Sequence, residues 1–287
     1  MDRFFLIGAN KAGTTSVHSY LGAHPEVFTT AVKEPSYFAV PPGETPRDEF
    51  SGSIVTSRGE YDALFADAGD AHIAGESSTA YLYSPVAADR IHAEFPDAKI
   101  LAVLRDPSDR AHSAHAMYLA HGAAVPRRLE DAVAEELAGR SQHVFVRRGR
   151  YAHCLTRYLD RFPREQVRVF LYEDLSHDPQ AMLREIFEWF GVSPEVRPDV
   201  SRRENVTLVP TNSSVYRVAA SSTGPAAAVR AAVPPSVRAW TRRRLERKRR
   251  PDPLTPELRA RLIEYYDDDI RSVEHLIGRD LTAWRTV

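Results

Sequence analysis

The chain has 287 residues, 38 of them basic and 39 acidic for a formal net charge of -1, with 43% hydrophobic and 27% charged residues. That length and mix are enough to bury a full α/β core, which excludes a disulfide-stapled mini-protein and wholesale disorder. The lone cysteine, Cys154, excludes an intramolecular disulfide, and no stretch approaches the ~20 apolar residues of a membrane helix, so a reducing, cytoplasmic setting is expected.

The opening M-D-R-F-F-L-I-G is too short an apolar run for a signal peptide. From there, short apolar runs alternate with amphipathic stretches, the pattern of a mostly parallel sheet flanked by helices. Strands are predicted at Arg3 to Gly8, His72 to Gly75, Lys99 to Leu104 and Val167 to Tyr172. Helical spacing covers Thr14 to Ala23, Pro85 to Phe95, Pro107 to His121, Tyr151 to Phe162 and Pro179 to Phe190. Asp106 and Asp178 are predicted N-caps, each followed by a proline suited to a first helical turn. Residues 211–250 begin rich in Ala, Ser, Thr and Pro and are read as a lid-like segment, because Pro256 to Trp284 returns to helical spacing. The expected architecture is one α/β domain over residues 1–287.

The charge is uneven. Residues 201–250 hold 12 basic residues against Glu204 and Glu246, a balance of +10 that leaves -11 elsewhere. Most of this excess lies between Arg238 and Arg250. Without interleaved aromatic residues that segment does not resemble a single-strand nucleic-acid surface, and no nucleic-acid partner is expected. Only four of the basic residues are lysines: Lys11, Lys33, Lys99 and Lys248.

The first strand runs into F-F-L-I-G-A-N-K-A-G-T-T-S, a strand, loop and helix start that suits phosphate, since free backbone N–H groups and the helix dipole converge there. Against G-x-x-x-x-G-K-[ST], Gly8, Gly13 and Thr15 match, Thr14 stands at the lysine position, and the lysine has moved into the loop as Lys11. No clear strand ending in a metal-holding aspartate follows, which argues against Mg²⁺-dependent γ-phosphate cleavage. Farther along, K-I-L-A-V-L-R-D-P ends a buried strand at Arg105 and enters a helix carrying Ser113, a combination suited to clamping a second phosphate. Taken alone, Arg105 fits a surface salt bridge to Asp106 or Asp109.

Together these segments resemble the sulfotransferases that use 3′-phosphoadenosine 5′-phosphosulfate (PAPS). The likeness continues in H-P-E-V, K-E-P-S-Y-F, G-E-S-S-T-A-Y-L and Y-E-D-L, and in G-R-D-L-T-A-W, an ending similar to that of many bacterial members. The resemblance implies a P-loop-like sulfotransferase fold, with Lys11, Ala12, Gly13, Thr14, Thr15 and Ser16 at the 5′-phosphosulfate and Arg105 with Ser113 at the 3′-phosphate. It also implies that Glu34 is the base that takes the acceptor proton, that Lys11 stabilises the leaving oxygen, and that no metal is required. Pro35 is expected to hold Glu34 extended. The competing view of Glu34 is a solvated carboxylate paired with Lys33. Heparan-type members often carry Lys where this chain has Ser77, so either Lys33 supplies that cation or the acceptor is handled differently. His112, His115 and His121 remain as reserve bases. The partner expected is a small-molecule or glycan acceptor, with carbohydrates, lipids and specialised metabolites all open. Two further readings fit part of the pattern: a P-loop nucleotide kinase or other phosphotransferase, and a non-catalytic nucleotide-binding module.

Overall fold

A computed structural model describes residues 1–41, 44, 55–121, 123–201, 209–210, 248–249 and 251–287. The core is a five-stranded sheet in the order β2-β3-β1-β4-β5, with every neighbouring pair parallel. Its strands are β1 (Asp2–Leu6), β2 (Val27–Thr29), β3 (Ile73–Ser77), β4 (Lys99–Leu104) and β5 (Val167–Leu171). β1 from Phe4 and β4 from Ile100 are continuous apolar runs because helices cover both sheet faces, leaving Phe4, Phe5, Leu6 and Ile100 to Leu104 buried.

The helices are α1 (Thr14–Leu21), α2 (Arg58–Ala63), α3 (Ala80–Tyr83), α4 (Ala87–Glu94), α5 (Pro107–Ala120), α6 (Leu129–Leu137), α7 (Ala152–Leu159), α8 (Tyr172–His177), α9 (Pro179–Phe190) and α10 (Pro256–Ile277). Asp106 and Asp178 do cap α5 and α9, accepting the N–H groups of Ser108 and Asp109 and of Ala181. Element boundaries shift by a few residues, and some elements, β2 among them, were not expected. Tyr172 opens α8 instead of ending β5. The last helix stops at Ile277, where Gly278 adopts a left-handed φ of 67° that an L side chain resists, and a 3₁₀ turn at Thr282–Arg285 follows. β2 has three residues, too few to show a period in sequence.

Asp269 of α10 ties the C-terminal helix to the core by accepting the backbone N–H groups of Tyr151 and Ala152 at the start of α7. A short antiparallel pair, β6 (Val209–Pro210) with β7 (Lys248–Arg249), lies beside α5. Apart from those four residues, positions 202–250 lie outside the described residues, and with them most of the expected lid-like segment 211–250 and of the basic run Arg238 to Arg250. No helix among the described residues is long and apolar enough to cross a membrane.

Chain order reverses direction around β1, which makes the carboxyl edge beside β1 and β4 the natural crevice for a ligand. All five strands deliver side chains of interest to that edge: the loop through Lys11 after β1, Glu34 after β2, Ser78 and Thr79 after β3, Arg105 after β4 and Tyr172 after β5.

Candidate active site

The loop after β1 clings to the neighbouring strand before turning into α1. The Ala9 N–H donates to the Val103 carbonyl, and the Val103 N–H to that of Gly8. Gly13 then has a φ of 86°, and a Cβ there would stand 2.4 Å from Leu175 Cδ2 of α8, so glycine is required on two counts. No side chain caps α1 and no acid lies in its first turn, which leaves its first N–H groups available to an anion. Thr14, Ser16 and Ala12 are buried, whereas Lys11, Gly13 and Thr15 reach the surface in part.

Lys11 and Arg105 meet at this loop. Arg105 Nη1 donates to the Lys11 carbonyl at 3.1 Å, its guanidinium lies over the Tyr172 ring at 4.5 Å, and its buried Nε has no hydrogen-bond partner. Burial, and next the charge of Arg105, push the Lys11 ammonium below its ordinary value. Two cations held this close, one with an orphaned donor, fit a bound anion. Arg105 does not pair with Asp106 or Asp109; Arg259 of α10 takes both. No hydrogen bond joins Arg105 to Ser113, which sits half-buried two turns into α5.

Glu34 is not extended. Its φ is 61°, and Lys11 (68°) and Ser36 (55°) are the other non-glycine residues with positive φ among those described. Each costs about 1–2 kcal/mol, and all three lie in the loops that meet at this edge. The end of β3 holds the turn. The Glu34 N–H donates to the Ser77 carbonyl at 2.8 Å, and Glu34 Oε2 accepts the Thr79 N–H at 2.7 Å and its hydroxyl at 3.1 Å. Lys33 Nζ donates to Glu34 Oε1. The pairing with Lys33 is therefore real, but at 20% and 15% side-chain exposure the pair is not a solvated surface bridge. A carboxylate offers about four lone-pair sites. Three are filled, leaving one on Oε1.

Beneath Glu34 lies Glu76, which is fully buried and accepts from the hydroxyls of Ser78 and Tyr81. Ser78 Oγ in turn accepts the Ser36 N–H at 2.9 Å, and the Tyr81 hydroxyl that of Phe38 at 3.4 Å. Burial pushes Glu76 up to about 8, with the Glu34 charge adding to the effect. Ser77 is 2.7 Å from His18 Nδ1, while His18 Nε2 is 3.2 Å from the Thr30 carbonyl. A carbonyl only accepts, so Nε2 carries the proton and Ser77 donates to Nδ1. Burial and then the nearby Lys33 charge lower His18 to about 4, leaving a neutral Ser–His pair at this point.

The reserve histidines sit elsewhere. His112, His115 and His121 contact the carbonyls of Asp252, Pro126 and Met117, around α5. Among the described residues no cluster of three or more His, Cys, Asp or Glu is placed to hold a metal. Asn10, His18, Glu76 and Thr79 escaped the sequence reading, although Glu76 and Thr79 lie inside G-E-S-S-T-A-Y-L, directly after a buried strand. Beside the site opens a cleft of about 770 Å³ between Ala39 to Pro41 and α3 on one wall and α7 with the preceding turn on the other. Arg147, Arg148, Arg150 and Arg157 line it.

Comparison with known proteins bears on the family and the fold. A profile described as "Sulfotransferase family" matches residues 50–195. The human bifunctional heparan sulfate N-deacetylase/N-sulfotransferase 2 is 29% identical over 210 residues, covering 68% of this chain and 22% of that protein. The chain thus spans about a fifth of the length of such curated relatives. A sulfotransferase from Alicyclobacillus acidocaldarius superposes with a TM-score of 0.76 at 28% identity, covering 99% of both chains. Mouse sulfotransferase SULT7A1 complexed with PAP shares the fold at a TM-score of 0.53 and 14% identity, covering 96% of this chain and 88% of that one.

Proposed function

Given that the chain belongs to the sulfotransferase family, we propose that it moves the sulfonate group of PAPS to a hydroxyl or amine of an acceptor by in-line displacement, releasing 3′,5′-adenosine bisphosphate (PAP). The observation that carries this reading is the meeting, on one edge of the parallel sheet, of an uncapped helix start, two close cations and a carboxylate with a free lone pair. The PAP complex of the mouse fold relative supports the same donor.

Bound PAPS would supply an activated sulfonate on a good leaving phosphate. Lys11 through Ser16 would hold its 5′ end, and Arg105, with its orphaned Nε, and Ser113 its 3′-phosphate. Thr79 and Lys33 aim the Glu34 carboxylate, which accepts the acceptor proton on the open site of Oε1 as the acceptor atom bonds to sulfur and the S–O bond to phosphate breaks. Lys11 follows the charge that builds on the single leaving oxygen, a task that suits a flexible ammonium better than a planar guanidinium. No step in this scheme calls for a metal.

The acceptor fits the arginine-lined cleft, whose four guanidinium groups outnumber the carboxylates of Glu44 and Asp269 and favour a negatively charged carbohydrate, in keeping with the heparan sulfate named for the curated relatives. The neutral Ser77–His18 pair leaves Lys33, close enough to depress His18, to supply the local cation. Residues 1–287 are read as one domain, supported by the packing of α10 against α5 and α7, and a cytoplasmic setting is read from the lone Cys154.

Calorimetry with PAP and with Mg-ATP tests the donor: PAP binding without Mg²⁺ is expected, and a preference for Mg-ATP would replace this reading with a phosphotransferase. Labelled PAPS offered with an acceptor panel tests the base. Glu34→Gln should retain PAP binding and lose transfer by a factor on the order of 100 or more; undiminished transfer removes Glu34 from that role.

A further inference from the structure

Arg110 is fully buried in α5, yet no carboxylate among the described residues lies within ion-pair distance of it. Its Nη2 donates to the Phe145 carbonyl, its Nη1 to Asn10 Oδ1 at 3.2 Å, and its Nε has no partner. The acid whose field reaches it, Glu136, already accepts the backbone N–H groups of Phe145, Val146 and Arg147. A buried guanidinium with no carboxylate at ion-pair distance is costly, and an anion bound close by would offset that cost. The side chain it grips belongs to the phosphate loop, between Ala9 and Lys11.

The same oxygen of Asn10 also accepts the Tyr83 hydroxyl at 3.0 Å. An arginine can only donate, so the amide orientation is settled: Oδ1 faces Arg110 and Tyr83, and Nδ2 points the other way. Nδ2 makes no hydrogen bond to the described residues and is not a buried orphan, and Asn10 itself is partly exposed. We propose that Asn10 is a donor-binding residue, held by Arg110 and Tyr83 so that its Nδ2–H₂ donates to the 5′ anionic group of the nucleotide, with the Arg110 charge behind it. The proposal rests on the reading of the β1–α1 loop as the 5′-phosphosulfate cradle. Its selectivity lies in chemistry: a carboxamide clamped by two donors on its oxygen can offer only donors to the ligand, as an oxyanion requires.

Binding can be measured without knowing the acceptor. PAP is compared by calorimetry with adenosine 3′-monophosphate, which shares the base and 3′-phosphate but lacks the 5′-phosphate. Asn10→Ala is expected to weaken PAP roughly tenfold and to leave adenosine 3′-monophosphate within about twofold, because a hydrogen bond to a charged group is being removed. Tyr83→Phe, which frees one of the two holds on Oδ1, should weaken PAP roughly threefold with the same selectivity. PAP affinity unchanged in Asn10→Ala, or both nucleotides weakened alike, overturns the assignment of Asn10. A Tyr83→Phe protein that binds both as the wild type does overturns the relay. A wild-type chain that binds adenosine 3′-monophosphate as tightly as PAP defeats the loop reading itself, an outcome distinct from the other two.

Discussion

Replacing Glu76 by glutamine isolates one buried charge. In the fold its carboxyl titrates at about 8, against 4.5 for the exposed group, mainly because burial penalises the ionised form. Below the unfolded value both states hold the proton, so stability is whole. Between the two values the unfolded chain gives up the proton while the fold keeps it, and stability falls as pH rises. Above about 8 both are ionised and the loss is complete. At about 1.4 kcal/mol per pH unit the total is on the order of 5 kcal/mol, much of a typical domain's stability. Glutamine keeps the shape and can still bond the hydroxyls of Ser78 and Tyr81, but it cannot ionise. Urea unfolding of both proteins from pH 5 to 9 should therefore show the Glu76→Gln advantage widening by several kcal/mol toward alkaline pH, other titrating groups being common to both. A difference that stays constant across the range would refute the burial argument.

Two further outcomes are expected from the loop between β1 and α1. Gly13→Ala forces a side chain into a left-handed φ and within 2.4 Å of Leu175 Cδ2, so thermal unfolding should reveal a loss of about 1–3 kcal/mol, and calorimetry a weakened affinity for PAP. Lys11→Ala should weaken PAP binding and slow transfer of labelled sulfonate together, as the proposal that one ammonium serves both the bound phosphate and the leaving oxygen requires; an unaffected protein would remove Lys11 from both roles.

Much of the site was legible because its parts are local. Gly13, Thr14 and Lys11 follow a buried strand within one short loop, and Asp106 with Pro107 announces the helix after Arg105, so strand, turn and cap chemistry suffice to read them. The Arg105 to Ser113 pair was legible as a pattern; the fold adds that Arg105 bonds the Lys11 carbonyl and lies over the Tyr172 ring. Glu34 was singled out through the family resemblance; Pro35 pointed to an extended backbone, but the bonds with Ser77 and Thr79 hold it left-handed. Local steric preference lost there to tertiary hydrogen bonds worth more than the strain.

The amino-acid order by itself determined the parallel α/β architecture and the strand, loop and helix start through Lys11, since each depends on apolar period or glycine chemistry within about a dozen residues, while the role proposed for Glu34 came from the family resemblance. Only the tertiary structure decided which groups share the carboxyl edge of the sheet. β2 is too short to signal itself, yet its crossover past β3 is what brings Glu34 to Thr79, 45 residues away. Likewise Arg110 and Tyr83 reach Asn10 from 100 and 73 residues along the chain. Such pairings follow from how strands order themselves in a sheet, a global outcome of burial and chain crossing that no local window contains.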